Sequence, residues 1–237
     1  MHSANTLFCR VFADCHSAII YQPFIGAIMK VTIYRNALKA ASRFQAVKDI
    51  RFYLNGILIE SSPIESRLVA TDGHILIVAK CDAKDENEGM FSGIIPSDVV
   101  KTILSWKAPK YAKESPIVIS GDGPEYRAEW CGNVALFKLV DGKFPDYRRV
   151  IPEKTNGELA FYDPDMLVRV KRASEDLGNN NGQFSLNYNG NSGALAKINT
   201  ETIAVIMPMR TDINISIDAT WARGALAGID TVISLAA

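Results

Sequence analysis

The alternation of apolar and polar residues repeats along this chain with a long period. Lys30 to Tyr34 alternates as a short strand, and Arg35 to Val47 places Leu38, Ala41, Phe44 and Val47 at helical spacing. Three strand-like runs follow, Phe52 to Glu60, Arg67 to Thr71 and Ile75 to Lys80, with Ser61-Ser62-Pro63 and Asp72-Gly73 as turns. An acidic loop, Asp82 to Gly89, leads to a second round. Met90 to Pro96 reads as a strand and Ser97 caps a helix through Trp106. Ile117 to Ser120, Glu125 to Cys131 and Val134 to Val140 then read as strands, turning at Gly121-Asp122-Gly123 and Gly132-Asn133. The pattern is an internal repeat of strand, helix and three strands with a period of about 60 residues.

The stretch Gly142 to Pro152 interrupts the repeat. Pro145 and Pro152 fix the backbone near its two ends, and Tyr147, Arg148 and Arg149 lie between them. Beyond it the order starts again. Glu158 to Tyr162 is an expected strand, and Asp163 with Pro164 opens a helix that runs to Leu177 and stops at Gly178-Asn179. Gln183 to Asn189, Gly193 to Ile198 and Glu201 to Met209 follow as strands. A last fragment reads as strand Ile213 to Asp218, helix Ala219 to Leu226 and strand Thr231 to Leu235. The predicted organisation is an extension over residues 1–29, a domain of two units over 30–150 and a condensed domain over 151–237. Met29 is the expected start of the functional fold.

Composition narrows the class. With 48% apolar residues the chain is an ordinary globular protein, and 26 basic against 26 acidic residues give no global signal for nucleic acid. The apolar stretch Ser17 to Met29 is too short to span a bilayer, and no basic segment precedes it as in a secretory signal. The four cysteines lack Cys-x-x-Cys spacing and there are three histidines, so no metal site, cofactor or disulfide framework is expected and a cytoplasmic setting is the default.

The neutral total hides a local asymmetry. Arg35, Lys39 and Arg43 are four apart on the first predicted helix; Lys101 and Lys107 mark the second, with Lys110 and Lys113 just beyond; Arg169 and Arg172 mark the third. Helices at the same place in repeated units would gather these charges on one surface. Without a helix-turn-helix, zinc finger or RNP-type aromatic set, such a surface suits sequence-independent contact with phosphates.

Four runs carry a resemblance. Arg51-Phe52-Tyr53-Leu54-Asn55-Gly56-Ile57-Leu58, Leu68-Val69-Ala70-Thr71-Asp72-Gly73-His74, Leu139 through Val150 and Val205-Ile206-Met207-Pro208-Met209-Arg210 look like signature runs of the bacterial DNA polymerase III beta subunit family, the sliding clamps, in the family's order. The resemblance implies an α+β DNA-clamp fold of repeated β-α-β-β-β units, with sheets outside and basic helices facing DNA. It implies a non-catalytic processivity factor that tethers replication proteins to duplex DNA. It also implies an apolar groove for short peptides of the DNA polymerase, clamp loader or repair proteins, formed by Leu54, Thr71, Gly73, His74, Leu76, Pro145, Arg149, Val150, Val205, Ile206, Met207, Pro208, Met209 and Arg210. The family has three domains, and this chain begins at what resembles the middle one. Ile75 stands where the family often has arginine, and the last domain is condensed. The usual dimeric ring is therefore not expected. The alternatives are a homo-oligomeric ring of three two-domain subunits, or a non-ring homologue that binds clamp-partner peptides and modulates replication without encircling DNA. Catalysis ranks behind both, since no nucleophile, phosphate loop or metal set accompanies Asp72 and His74.

Overall fold

The computed structural model describes residues 29–82, 87–107, 109 and 115–210. The expected unit order is observed. The first unit is β1 (Met29–Ile33), α1 (Arg35–Ser42), β2 (Ile57–Ser61), β3 (Glu65–Thr71) and β4 (Ile75–Asp82). The second is β5 (Phe91–Ile95), α2 (Ser97–Ser105), β6 (Ile117–Gly121), β7 (Tyr126–Trp130) and β8 (Asn133–Phe137). The third contributes α3 (Pro164–Asp176), β9 (Ser185–Asn187), β10 (Ala194–Lys197) and β11 (Thr202–Ile206). The predicted elements from Ile213 to Leu235, the residues before Met29, and Lys110 and Lys113 lie outside the described residues.

The first two units exchange their first strands. β1 pairs with β6, giving the sheet β1-β6-β7-β8, and β5 pairs with β2, opening the sheet β5-β2-β3-β4-β11-β10-β9. All ladders are antiparallel. β4 and β11 are each the last strand of their unit, and they pair edge to edge, so the seven-stranded sheet runs across the join between residues 30–150 and 151–237.

Strand alternation sorts this sheet's apolar residues into two layers. Ile57, Ile59, Leu68, Ala70, Ile75, Ile77, Ala204 and Ile206 point toward the helices, packing with Leu38 and Ala41 of α1, Val100 and Ile103 of α2, and Val170 and Ala173 of α3. Leu58, Val69, Leu76, Ile94 and Val205 point the other way, where Phe144 and Tyr147 cover them. The helices therefore lie on one face of the sheet and the Gly142–Pro152 stretch on the other. α1 is the middle helix, packed against both α2 and α3. No described helix is long and apolar enough to cross a membrane.

Several boundaries differ from the sequence pattern. α1 ends at Ser42 rather than Val47: Arg43 caps it by donating its N–H to the Ala40 and Ala41 carbonyls, and Lys48 takes a left-handed turn at φ 56°. Phe52–Asn55 is a 3-10 turn rather than the start of a strand. There the Asp49 N–H donates to Asn55 Oδ1 (3.0 Å) and Asn55 Nδ2 donates to the Asp49 carbonyl (2.9 Å), closing a loop that no strand could hold. Pro96, not Ser97, caps α2. Asp163 does cap α3, accepting from the Asp165 N–H at 2.9 Å. The expected strand Glu158 to Tyr162 is reduced to one bridge, Phe161 to Met209.

Candidate functional site

The sheet face turned away from the helices gathers most of the predicted groove residues at the β4–β11 junction. Leu76 and Val205 are register partners there, both buried, with Leu54 in the same apolar cluster. The turn between β3 and β4 carries Thr71, Gly73 and His74. Asp72 Oδ1 accepts the His74 N–H (2.8 Å) and the Ile75 N–H (3.1 Å), and Thr71 Oγ1 accepts the Gly73 N–H (3.0 Å) while donating to the Ile75 carbonyl (2.8 Å). Gly73 sits at φ +99°, where a side chain is strained, and the Arg51 guanidinium lies against it. The turn is tied to the last strand by the Met207 N–H donating to the His74 carbonyl at 2.9 Å.

Beyond β11 the chain leaves the ladder, so Met207 and Met209 keep their side chains partly in solvent, with Pro208 half-buried and Arg210 exposed. Val150, also exposed, approaches from the connector. Gly193 links these parts: a Cβ built on it would come within 2.8 Å of Val205 Cγ1, 3.4 Å of Met207 Sδ and 3.9 Å of the Val150 carbonyl oxygen. Val205, Met207 and the Val150 backbone thus come together around Gly193, beside Leu76. Among the predicted residues, Ile206 faces the helices and lies in the core.

The Pro145 to Val150 segment is anchored rather than free. Phe144 and Tyr147 are buried against the sheet, and Tyr147–Val150 forms a 3-10 turn. Tyr147 OH donates to Glu60 Oε2 (2.7 Å), which also accepts from Arg148 (2.6 Å). Burial, with the Glu60 carboxylate added, pushes the Tyr147 hydroxyl up to about 12. Arg149 is exposed and pairs with Asp146 (3.0 Å). Pro145 is exposed at the junction with a second cleft of about 710 Å³, lined by Leu58, Glu60, Ile94 and the Leu139 to Arg148 run.

The predicted basic surface divides into two groups. Lys101, Lys107 and Arg172 are exposed. The others hold helices together. Arg35 donates to the Leu104 carbonyl (2.5 Å) and lies over the Trp130 ring, joining α1 to the end of α2. Lys39 and Arg43 both pair with Asp176, joining α1 to α3. Arg169 donates to the Arg43 carbonyl (2.7 Å) and to Asp72 (2.5 Å). Burial pushes the Asp72 carboxyl up, but the hydrogen bonds from Arg169, His74 and Ile75 outweigh it and leave it below the ordinary carboxylate value. Arg43, Arg169, Arg172 and Asp72 line a cleft of about 400 Å³ between the end of α1 and α3. Asp72 therefore touches both features, its Oδ2 meeting Arg169 of α3 and its Oδ1 holding the turn between β3 and β4.

Sequence reasoning did not single out Gly193, Glu60 or Arg51. Gly193 stood only at the head of a predicted strand, and nothing local distinguishes a glycine that admits close-packed neighbours from one that ends a turn.

Known proteins resemble this chain most clearly in its first two units. A family profile described as the DNA polymerase III beta subunit, central domain, matches residues 28–146. The beta sliding clamp of Vibrio cholerae is 35% identical over 140 residues, 59% of this chain and 37% of that one. The beta sliding clamp of Proteus mirabilis is 39% identical over 153 residues, 61% of this chain and 41% of its own length. This chain thus spans about two-fifths of these relatives. Among solved structures, the DNA polymerase III subunit beta of Pseudomonas aeruginosa superposes with a TM-score of 0.61 over 82% of this chain and 69% of that one, at 21% identity. The shared fold covers more of the chain than the matched domain. On this basis the chain belongs to the DNA polymerase III beta subunit family, the bacterial sliding clamps, through that family's central domain.

Proposed function

We propose that the chain is a non-catalytic replication accessory protein that holds partner peptides in the trough at the β4–β11 junction and contacts duplex DNA through its helical face. The observation that carries this reading is the trough itself. Leu76 and Val205 would form its buried floor and the exposed Val150, Met207 and Met209 its walls, with Gly193 letting Val205 and Met207 approach closely. Exposed methionines on a fixed β floor suit a site for several partners, since the thioether side chain adapts its shape while the backbone stays in place. A short extended peptide from a DNA polymerase or clamp loader, with apolar side chains entering the trough, fits this chemistry. Arg149, Arg210 and His74 are placed to meet its polar groups.

The proposed DNA contact rests on Lys101, Lys107 and Arg172, which are exposed. Such contacts read no sequence and weaken with salt. Fluorescence anisotropy with a labelled clamp-binding peptide and, separately, with a labelled duplex tests both parts. Saturable peptide binding and salt-sensitive duplex binding are expected. Duplex binding that is indifferent to salt would contradict the helical-face assignment, and absent peptide binding would remove the trough.

A further inference from the structure

We propose that Glu60 is a positioning residue of the peptide groove: its carboxylate fixes the Tyr147–Val150 turn and so sets where Val150 stands beside Val205 and Met207. The inference rests on the groove reading of the β4–β11 junction and extends it to a residue outside the groove.

Glu60 itself lies too far away to touch a bound peptide. It belongs to β2 and points to the same side as Leu58, the face without helices. Its register partner is Arg67 of β3, whose own partner is Lys80 of β4, four residues along that strand from Leu76. Two strand spacings across and four residues along put Glu60 on the order of 15 Å from Leu76. Any effect of Glu60 on the groove therefore passes through the groups it holds.

Those groups are on the connector. Tyr147 OH donates to Glu60 Oε2 at 2.7 Å, and Arg148 donates to the same oxygen at 2.6 Å. The Arg148 guanidinium also lies over the Tyr147 ring, 4.6 Å from its centre. One carboxylate oxygen thus ties down two successive residues of the turn. Pushed up to about 12, the Tyr147 hydroxyl keeps its proton and stays a donor throughout the neutral range.

The backbone does little of this work. The Arg149 N–H donates to the Asp146 carbonyl at 3.4 Å and the Ile151 N–H to the Arg148 carbonyl at 3.3 Å, both longer than an ordinary N–H···O bond. Residues 142–152 join no described strand ladder. Burial of Phe144 and the Tyr147 ring keeps the segment on the sheet, and the Glu60 anchor fixes its orientation there. Val150 ends the turn. Its carbonyl oxygen lies 3.9 Å from where a Cβ on Gly193 would sit, the point that Val205 Cγ1 and Met207 Sδ also approach. A turn held at its first two residues delivers its fourth to the groove.

Fluorescence anisotropy on the full chain with a labelled clamp-binding peptide tests this through a double-mutant cycle between Glu60 and Val150. Glu60→Ala should weaken binding about fivefold. In a Val150→Ala background the same change should weaken it less than about twofold, because the wall it positions is already gone. A merely structural role would cost the same in both backgrounds. Tyr147→Phe, which keeps the ring and removes the donor, should lose affinity as Glu60→Ala does. Glu60→Gln still offers the hydroxyl an acceptor and should bind more tightly than Glu60→Ala. Glu129→Gln removes an ion pair with Arg127 (2.9 Å) in the four-stranded sheet and, as the control, should bind as wild type does. Wild-type affinity in Glu60→Ala or Tyr147→Phe, or equal losses in the two backgrounds, would overturn the proposal and leave the groove standing. A wild type that binds no peptide would overturn the groove reading, and the proposal with it.

Discussion

Leu76 and Val205 face each other across the β4–β11 pairing, on the side of the sheet that carries no helix. One cross-strand pair therefore closes the join between the second and third parts of the chain and forms the floor of the candidate groove. Any change to the pair acts on stability and on binding together.

Leu76→Ala separates poorly for that reason. Truncating a buried leucine costs about 2–5 kcal/mol, so weaker peptide binding by this variant alone proves little. Met207→Ala is the cleaner substitution, because Met207 is 40% exposed and lies beyond the end of β11. Its urea midpoint should move by no more than about 0.5 kcal/mol equivalent, while peptide affinity falls about tenfold, or ~1.4 kcal/mol. Equal affinity for wild type and Met207→Ala would remove the methionine wall from the site.

Gly193→Ala narrows the trough from below. The added methyl would reach Val205 Cγ1 at 2.8 Å and Met207 Sδ at 3.4 Å, so Val205 must shift into space the peptide needs. Overpacking of this kind costs about 1–3 kcal/mol. Thermal unfolding should register that loss, and titration calorimetry should show weaker peptide binding with DNA binding unchanged.

Acid should loosen the α1–α3 contact. Burial raises the Asp176 carboxyl, but the hydrogen bonds from Arg43 and Lys39 outweigh it, and Asp72 is likewise held low by Arg169. A carboxyl whose folded value lies below its unfolded one stabilises fully above about 3.9 and loses that contribution as pH falls through the folded value. These two groups thus leave stability flat from pH 7 to about 5 and reduce it below about 4. Asp176→Asn should cost about 1–3 kcal/mol at pH 7 and flatten the acid limb of a melting-temperature profile. An unchanged acid limb would show that this pair does not carry it.

Charge reversal sorts the basic residues. Lys101→Glu and Arg172→Glu alter exposed groups with little structural duty, so each should lower duplex affinity and reduce the slope of log affinity against log salt by about one or more contacts. Arg43→Glu would instead face Asp176 and should be read out first as instability.

Much of the architecture was legible in the sequence because period-two and period-3.6 patterns report which faces are buried, and the repeat reported that the same unit recurs. The end of α1 was not legible. Val47 falls at helical spacing with Phe44, yet the chain turns at Arg43 and Lys48 and leaves Val47 exposed. The roles of the arginines were equally hidden, since Arg169 meets Asp72 across 97 residues of sequence and no local pattern announces such a pair. Leu54, Leu76 and Val205 could be named for the groove from the resemblance, whereas Gly193 emerges only from the packing around it.

The most direct test of the groove uses the methionine methyl groups as reporters in a carbon-13 NMR titration with a clamp-binding peptide. Of the chain's six methionines, five are among the described residues: Met207 and Met209 lie at the β4–β11 junction, Met29 and Met166 pack against the core, and Met90 lines a small cleft beside Glu60 and Arg148. Saturable shifts at Met207 and Met209, with Met29, Met90 and Met166 still, are the predicted result. Shifts centred on Met90 or Met166, with Met207 and Met209 unmoved at saturation, would place the peptide elsewhere and contradict the account.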